Sequence, residues 1–557
     1  MAAWTTACVD WESRLLEGRS IIPAPIFPDQ AAQALAVFKE LRVTDLPGKP
    51  TFGECSEQWV FDFVAAIFGA YDADTGKQLI REYYLLISKK NTKSTIAAGI
   101  MLTAVILCWR EEEEHLILAP TKEVADNSFK PAAGMIRADD ELSALFQIQD
   151  HIRTITHRIT RASLKVVAAD TDTVSGKKSG RILVDEHWLF GKKANAESMF
   201  MEATGGQVSR EEGWVIFLTT QSDEPPSGVF KDKLDYYRNV RDGKIVDNKS
   251  LGILYEFPES VIKEKGYLNP ANFYITNPNI GRSVSAEWLE DKLKKDKEKV
   301  DGAFQQFLAK HLNVEIGLNL RSDRWAGADF WEAQSRPVVD LDYLLANSEV
   351  ITIGIDGGGL DDMLGFAAIG RESETGRWIL CNHAWLHPVA LERRKQEMAR
   401  YKDFETDGNL NIIEALPDDV SEVAEMVKRI YDTGLLAGVG LDPEKTHKVM
   451  FQALVDIGVD EKIIMGVSQG WKLIGSIIMA ERKLAEKKMI HGGTRLMNWC
   501  VGNARIEPRG NAALITKQAS GNAKIDPLMA TFNAVSLMAL NPESHNIYDF
   551  LSNPISG

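Results

Sequence analysis

Two apolar periods alternate through the first half of the chain. Compact apolar blocks (YYLLIS, HLILAP, RASLKVVAA, GRILVDE, WVIFLTT) are separated by longer helical patterns, of which TIAAGIMLTAVILCW is the most apolar. Strands alternating with helices predict a parallel sheet covered on both faces. This pattern occupies residues 51–255, behind a helical extension over 1–50 that contains AAQALAVFKELRV and ends at LPGKPTFG. The charged run SAEWLEDKLKKDKEKVDGAFQQFLAKHLN predicts one exposed helix, because its acid-to-lysine spacings support one. With the connector NLRSDRWAGADFWEAQSRPVVD, pinned by Trp325 and Trp331, it makes 256–345 a lid or linker region. The period then changes. EVITIGIDGGG, MLGFAAIGRE and WILCNHAWLH are consecutive strand candidates and predict an antiparallel meander. A helix in DDVSEVAEMVKRIYDTG, strand LLAGVGLD, a helix in THKVMFQALVDIG, strand KIIMGV and further helices complete a domain over 346–557.

At 557 residues the chain has room for two or three cores. Its hydrophobic content of 45% and charged content of 26% are those of an ordinary globular protein. No apolar run reaches the roughly 18–20 residues that span a bilayer, so no membrane association is expected. The N-terminus lacks a basic start followed by an apolar block, and no secretory signal is expected. The 5 cysteines are scattered without a CxxC pair, which fits a reducing cytoplasm and disfavours a disulfide framework or zinc ribbon. A net charge of −15 excludes a general nucleic-acid coat. Local basic clusters such as SKKNTKS, SGKKSGR and ERRKQEMARYK leave DNA contact open, although each also fits a solvated surface.

Strand YYLLI runs into Ser88, Lys89, Lys90, Asn91, Thr92, Lys93, Ser94 and Thr95 at the head of a helix. A strand-to-helix turn of this kind wraps phosphates with backbone N–H groups, while a lysine and a hydroxyl serve phosphate and Mg²⁺. Lys93 and Ser94 fit those two roles. Thr92 stands where glycine is usual, and a left-handed backbone there would cost it about 1–2 kcal/mol. Downstream, RILV ends in Asp185 and Glu186, a carboxylate for Mg²⁺ and one to polarise the attacking water. WVIFL ends in Thr219, Thr220, Gln221 and Ser222, polar groups able to sense a terminal phosphate. The set predicts a P-loop ATPase.

Three further aspartates end or open elements in the last third of the chain: Asp356 after ITIGI, Asp442 after LAGVGL and Asp526 before PLMATFNAV. Phosphodiester hydrolysis with two cations needs several carboxylates at one spot. A mixed sheet of the ribonuclease-H type, followed by a C-terminal helix, would supply them. Asp361 and Asp362 are turn residues or extra ligands, and Asp526 is also an N-cap candidate. His383 and His387 read as packing residues, and His491 as a local hydrogen-bonding group.

With both halves in view, the chain resembles the large terminase subunit of tailed bacteriophages over roughly residues 45–545. In the first half the likeness rests on SEQWVFDFVAAIFG, SKKNTKST, APTKEVADNSF, SGKKSGRILVDEHWLFG and FLTTQSDEPPSG. In the second it rests on ITIGIDGGG, GLDPEKTHKV, VSQGWKL, MIHGGTRLMNWCVGNARI and KIDPLMATFNAV. The resemblance implies an α/β protein: an N-terminal P-loop ATPase domain with a parallel-rich sheet and a C-terminal RNase H-like nuclease domain with a mixed sheet. It places Gln58 against adenine and Lys89 at the opening of the phosphate loop, and makes Thr219, Thr220 and Gln221 couple hydrolysis to movement. It implies ATP with Mg²⁺ at one site and Mg²⁺ or Mn²⁺ on Asp356, Asp442 and Asp526 at the other.

The function so implied is ATP-driven packaging of double-stranded DNA into a procapsid, with endonucleolytic cutting of concatemers. The expected partners are the portal protein, a small terminase subunit and further copies of the chain in a ring, within the host cell cytoplasm. An arginine acting in trans has only Arg158, Arg161 and Arg181 as candidates. The rival readings are a repair-type helicase or nuclease, and an assembly scaffold of the same fold with little catalysis.

Overall fold

A computed structural model describes residues 4–169, 179–193, 195–297, 299, 303–316, 325–394, 397–415, 417–443, 447–509, 512–517 and 524–544. The chain forms two compact units, Met1–Ile316 and Gly317–Gly557.

After short N-terminal helical turns, the first unit carries helices α1 (Pro28–Glu40) and α2 (Gln58–Phe68). Strand β1 (Glu82–Leu86) leads into α3 (Lys93–Ile106), and β2 (Glu114–Ala119) into α4 (Lys122–Arg137). Strands β3 (Phe146–Gln149), β4 (Thr154–His157), β5 (Ser163–Ala168), β6 (Ser179–Val184), β7 (Trp214–Thr219) and β8 (Ser250–Leu254) follow. The sheet order is β8-β1-β7-β6-β2-β5-β4-β3. The first six strands are parallel; five of them carry the apolar blocks read from the sequence, and β8 lies outside those blocks. β4 and β3 add an antiparallel edge. β1, β6 and β7 are buried on both faces, the signature of parallel strands under helices.

The long charged run is not one helix. It forms α5 (Ala286–Lys297) and α6 (Ala303–Leu312), which pack together. Asp296 is buried at the end of α5, where it accepts from both Lys292 and Lys299. Part of the acid-to-lysine pattern therefore covers a buried carboxylate with two partly exposed lysines.

In the second unit β9 (Ser348–Gly359), β10 (Asp362–Glu372) and β11 (Trp378–Leu386) form the expected antiparallel meander. β12 (Leu410–Ile412), α7 (Asp418–Tyr431), β13 (Leu436–Leu441), α8 (His447–Asp456) and β14 (Ile464–Gly466) follow. The sheet order is β12-β11-β10-β9-β13-β14, and β13 lies parallel to β9, so the sheet is mixed. The stretch expected to be helical to its end also holds strand β15 (Met489–His491), paired with β11, and the hairpin β16 (Ala504–Arg509) with β17 (Ala512–Lys517). A three-residue strand such as β15 is too short to show a period. Helix α9 (Asp526–Met538) is buried along nearly its whole length on the sheet. Trp325 and Trp331 are fully buried beneath it and its neighbours, as the connector reading expects.

Candidate functional site

The order β1-β7-β6 puts three motif-bearing strands side by side, with Leu86 opposite Thr219 and Val184 opposite Phe217. Their carboxyl ends are the usual ligand position of such sheets. Ser94 Oγ donates to Asp185 Oδ2 at 3.1 Å, and Ser128 Oγ to the same oxygen at 2.7 Å. The Glu186 N–H donates to Asp185 Oδ1 at 2.9 Å. Lys93 Nζ lies 3.8 Å from Glu186 Oε1, with the lysine side chain 5% exposed. Burial and the neighbouring Glu186 carboxylate hold the Asp185 carboxyl above its ordinary range, opposed by Ser128, Lys93 and Ser94. A cation placed there would relieve both effects.

The phosphate loop is strained where its sequence lacks glycine. Lys90 has φ 76° and Thr92 φ 57°. The second is the left-handed backbone that costs a threonine most. Buried asparagines hold it. Asn91 Nδ2 donates to the Ser88 carbonyl at 3.0 Å and to Asn277 Oδ1 at 2.9 Å. The Asn279 N–H donates to Asn91 Oδ1 at 3.0 Å, and its Nδ2 to Thr92 Oγ1 at 3.2 Å. Trp59 Nε1 in turn donates to Asn279 Oδ1 at 2.7 Å. The loop conformation is thus imposed from outside by residues 277–279, the arrangement needed for strained backbone to persist. Nothing in the local sequence announces these partners, because they lie far along the chain, at separations of 186 to 188 residues.

The residues present fit a nucleotide with its divalent cation. Ser88 Oγ, Thr220 Oγ1 and Gln221 Nε2 are buried and have no protein partner. Such groups are normally satisfied, and a phosphate or water would serve them. Ser94 and Asp185 supply oxygen ligands of the right class. A cavity of about 230 Å³ adjoins the loop, lined among others by Phe52, Val60, Thr92, Thr95, Asn279 and Arg282. Gln58 does not line it. Gln58 is exposed at the first turn of α2, and its Nε2 donates to Asp62 Oδ1 at 2.8 Å. Lys89 and Lys90 also belong to the loop: Lys89 N–H donates to the Lys310 carbonyl at 2.7 Å, and the Lys90 carbonyl accepts from Ser283 Oγ at 2.8 Å. Arg181 is half-buried and turned inward, its Nη1 donating to the Ala104 carbonyl at 2.8 Å. Arg158 and Arg161 are exposed.

In the second unit Ile355 pairs with Leu441, so Asp356 and Asp442 are the next residues on neighbouring parallel strands. Asp356 pairs across the meander with Gly365, where a Cβ would meet the Asp526 carbonyl carbon and Pro527 nitrogen at 2.6 Å. Glycine at that position lets the start of α9 settle on the strands. Asn533 Nδ2 to the Ile355 carbonyl, at 3.0 Å, and Asn382 Nδ2 to Thr531 Oγ1, at 2.9 Å, fasten it there. The three aspartates are 3%, 7% and 6% exposed respectively, and share one sheet edge. As oxygen donors they suit a hard divalent cation. Among the described residues, however, no group of three or more His, Cys, Asp or Glu side chains is closed up to hold a metal ion.

The other candidates in this unit have structural partners. Asp361 takes two bonds from Arg394, both 3.0 Å, and that guanidinium keeps its carboxyl below the usual range. Asp362 pairs with Lys524, a buried cation whose Nζ also donates to the Asp361 carbonyl at 2.6 Å. Asp526 is the first residue of α9 and does not cap it; Ile525 holds the cap position. His383 Nε2 meets Asn411 Oδ1 at 3.1 Å, and His387 Nδ1 accepts the Val389 N–H at 3.2 Å. His491 stacks on Trp331 with ring centres 3.7 Å apart, and its Nδ1 accepts the Gly493 N–H at 3.0 Å.

Two family models match the chain: Terminase large subunit, ATPase domain, over residues 59–239, and Terminase large subunit, endonuclease domain, over residues 253–541. Among solved structures, the large terminase of bacteriophage HK97 is 17% identical, covering 91% of this chain and 99% of that one at a TM-score of 0.46. The large terminase of a thermophilic bacteriophage, solved in complex with ATP-gamma-S, is 14% identical, covering 82% and 94%, TM-score 0.30. The large terminase nuclease of thermophilic phage G20c with bound magnesium is 14% identical, covering 34% and 80%, TM-score 0.23. No curated protein matches the chain in sequence.

Proposed function

We propose, for a chain that belongs to the terminase large-subunit family and carries its ATPase and endonuclease domains, that the two sites built above are the engine and the cutter of a DNA-packaging motor. The observation that carries the reading is the side-by-side register of β1, β7 and β6, which brings Lys93, Ser94, Asp185, Glu186 and Thr219 to one sheet edge. Lys93 and the loop N–H groups bind the β- and γ-phosphates, and Ser94 with Asp185 holds Mg²⁺. Glu186 takes the proton of the attacking water as its oxygen bonds to the γ-phosphorus and the bond to the bridging oxygen breaks. Thr219, Thr220 and Gln221 pass the change on. The cavity beside Thr92 and Thr95 receives the base, a role the exposed Gln58 does not share in this conformation.

In the second unit, Asp356, Asp442 and Asp526 would hold Mg²⁺ or Mn²⁺. Such cations make water a nucleophile and offset charge on the phosphodiester. A divalent cation held by these buried carboxylates would offset their mutual repulsion. Grip on double-stranded DNA runs through phosphates and is therefore salt-sensitive. A portal protein, a small terminase subunit and a ring of copies complete the motor in the host cytoplasm, with Arg158 or Arg161 as the residue offered to a neighbour. Among the described residues no helix is long and apolar enough to cross a membrane.

The test is reciprocal. Glu186→Gln should lower ATP turnover by about 100- to 10,000-fold, the range for a general base, while plasmid digestion with Mn²⁺ persists. Asp442→Asn should abolish digestion and spare ATP hydrolysis. Loss of both activities in either folded variant would refute two separate sites.

A further inference from the structure

Lys310 lies on α6, outside every catalytic motif read from the sequence, yet it touches three of them. Its Nζ donates to the Gln221 carbonyl at 2.9 Å and sits 2.8 Å from the centre of the Trp188 ring. Trp188 Nε1 donates to Glu186 Oε2 at 2.7 Å, and the Trp188 N–H to Thr219 Oγ1 at 3.0 Å. The Lys310 carbonyl accepts the Lys89 N–H at 2.7 Å. Three residues on, Asn313 Oδ1 accepts the Gln221 N–H at 3.2 Å. One end of α6 therefore braces the phosphate loop, the carboxylate for the attacking water and the turn after β7.

The charge has no packing rationale. Lys310 is 8% exposed, and burial pushes its ammonium down to about 7, with Lys192 and Lys93 adding to the effect and Asp223 and Glu186 opposing it. A methionine would fill the same space without the desolvation cost. Glu186, meanwhile, has a left-handed backbone, φ 49°, which persists only where surrounding structure demands it.

We propose that Lys310 is a positioning residue for ATP hydrolysis: through the Trp188 indole it holds the Glu186 carboxylate in place, and through the Gln221 carbonyl it ties that carboxylate to the turn after β7. The inference rests on the reading of Glu186 as the group that activates water. Movement of α6 and movement of the catalytic carboxylate are then one event, because the same ammonium spans both.

The experiment compares the full-length wild type with Lys310→Met, Lys310→Arg and Glu186→Gln in steady-state hydrolysis across ATP concentrations, alongside thermal melting. Lys310→Met should lower kcat about 10- to 100-fold, the scale of misplacing a reacting group by an ångström. Its KM for ATP should stay within about twofold, with an unchanged or higher Tm. Lys310→Arg should recover part of the rate. A Met variant with wild-type kcat, or one whose loss tracks a fall in Tm or a matching rise in KM, overturns the proposal. Wild-type turnover by Glu186→Gln would sink the underlying site reading instead, whatever Lys310 does.

Discussion

The two sites are assembled by different means. In the first unit the side chains of the proposed site are already in contact: Lys93 and Glu186, Ser94 and Asp185, Trp188 and Glu186. Opposite charges and hydroxyls satisfy one another, so the protein alone can hold the arrangement. In the second unit the side chains that matter are all acids, and they share an edge through backbone register and helix placement. Like charges do not pair, and no described group closes to metal size. A site built from complementary charges can be preassembled; one built from like charges is positioned by its scaffold and needs a counter-charge to close.

That contrast is broken most severely at the scaffold of the second site. Gly365→Ala would drive a methyl into the start of α9, at a cost of about 1–3 kcal/mol typical of overpacking. Metal-dependent digestion should fall sharply while ATP hydrolysis persists; unimpaired cutting would mean that helix placement does not set the site. In the first unit Asn279→Ala should cost a similar or smaller amount, about 1–3 kcal/mol, by leaving the buried Trp59 indole N–H unpaired. Here a raised KM for ATP, with digestion unchanged, is the expected readout.

The mildest effect is on pH. The folded Lys310 ammonium titrates near 7, well below its unfolded value of about 10.4. The unfolded chain therefore binds the extra proton between those values, and stability from this group, full above about 10.4, is lost as pH falls towards 7. Melting curves across that window should rise with pH in the wild type and flatten in Lys310→Met; identical slopes would show that this group does not titrate there.

What could be read in advance follows the length of the signal. The parallel strands YYLLI, RILV and WVIFL and the meander from Glu349 to Leu386 were legible because each is a long apolar period with polar residues at a defined end. The split of the charged run into α5 and α6 was not, since its acid-to-lysine spacings favour either arrangement. Asn279 and Lys310 carried no local mark at all, and Ser128, Trp188 and Lys524, although they lie inside motif segments, had no role to be read from their neighbours. Ser128 is one hydroxyl within a helix, and Lys310 looks like an ordinary surface lysine.

By itself, then, the order of residues determined which strand ends bear lysine, hydroxyl or carboxylate, and hence the two chemistries available. Only the folded chain decided that Thr92 would be held left-handed by asparagines far along the sequence, that Gln58 would face Asp62, and that a lysine from α6 would sit on the Trp188 ring. The reason is physical. Strand and helix periods are written in neighbours, whereas the partner of a buried polar group is whichever residue the packing of distant segments delivers to it.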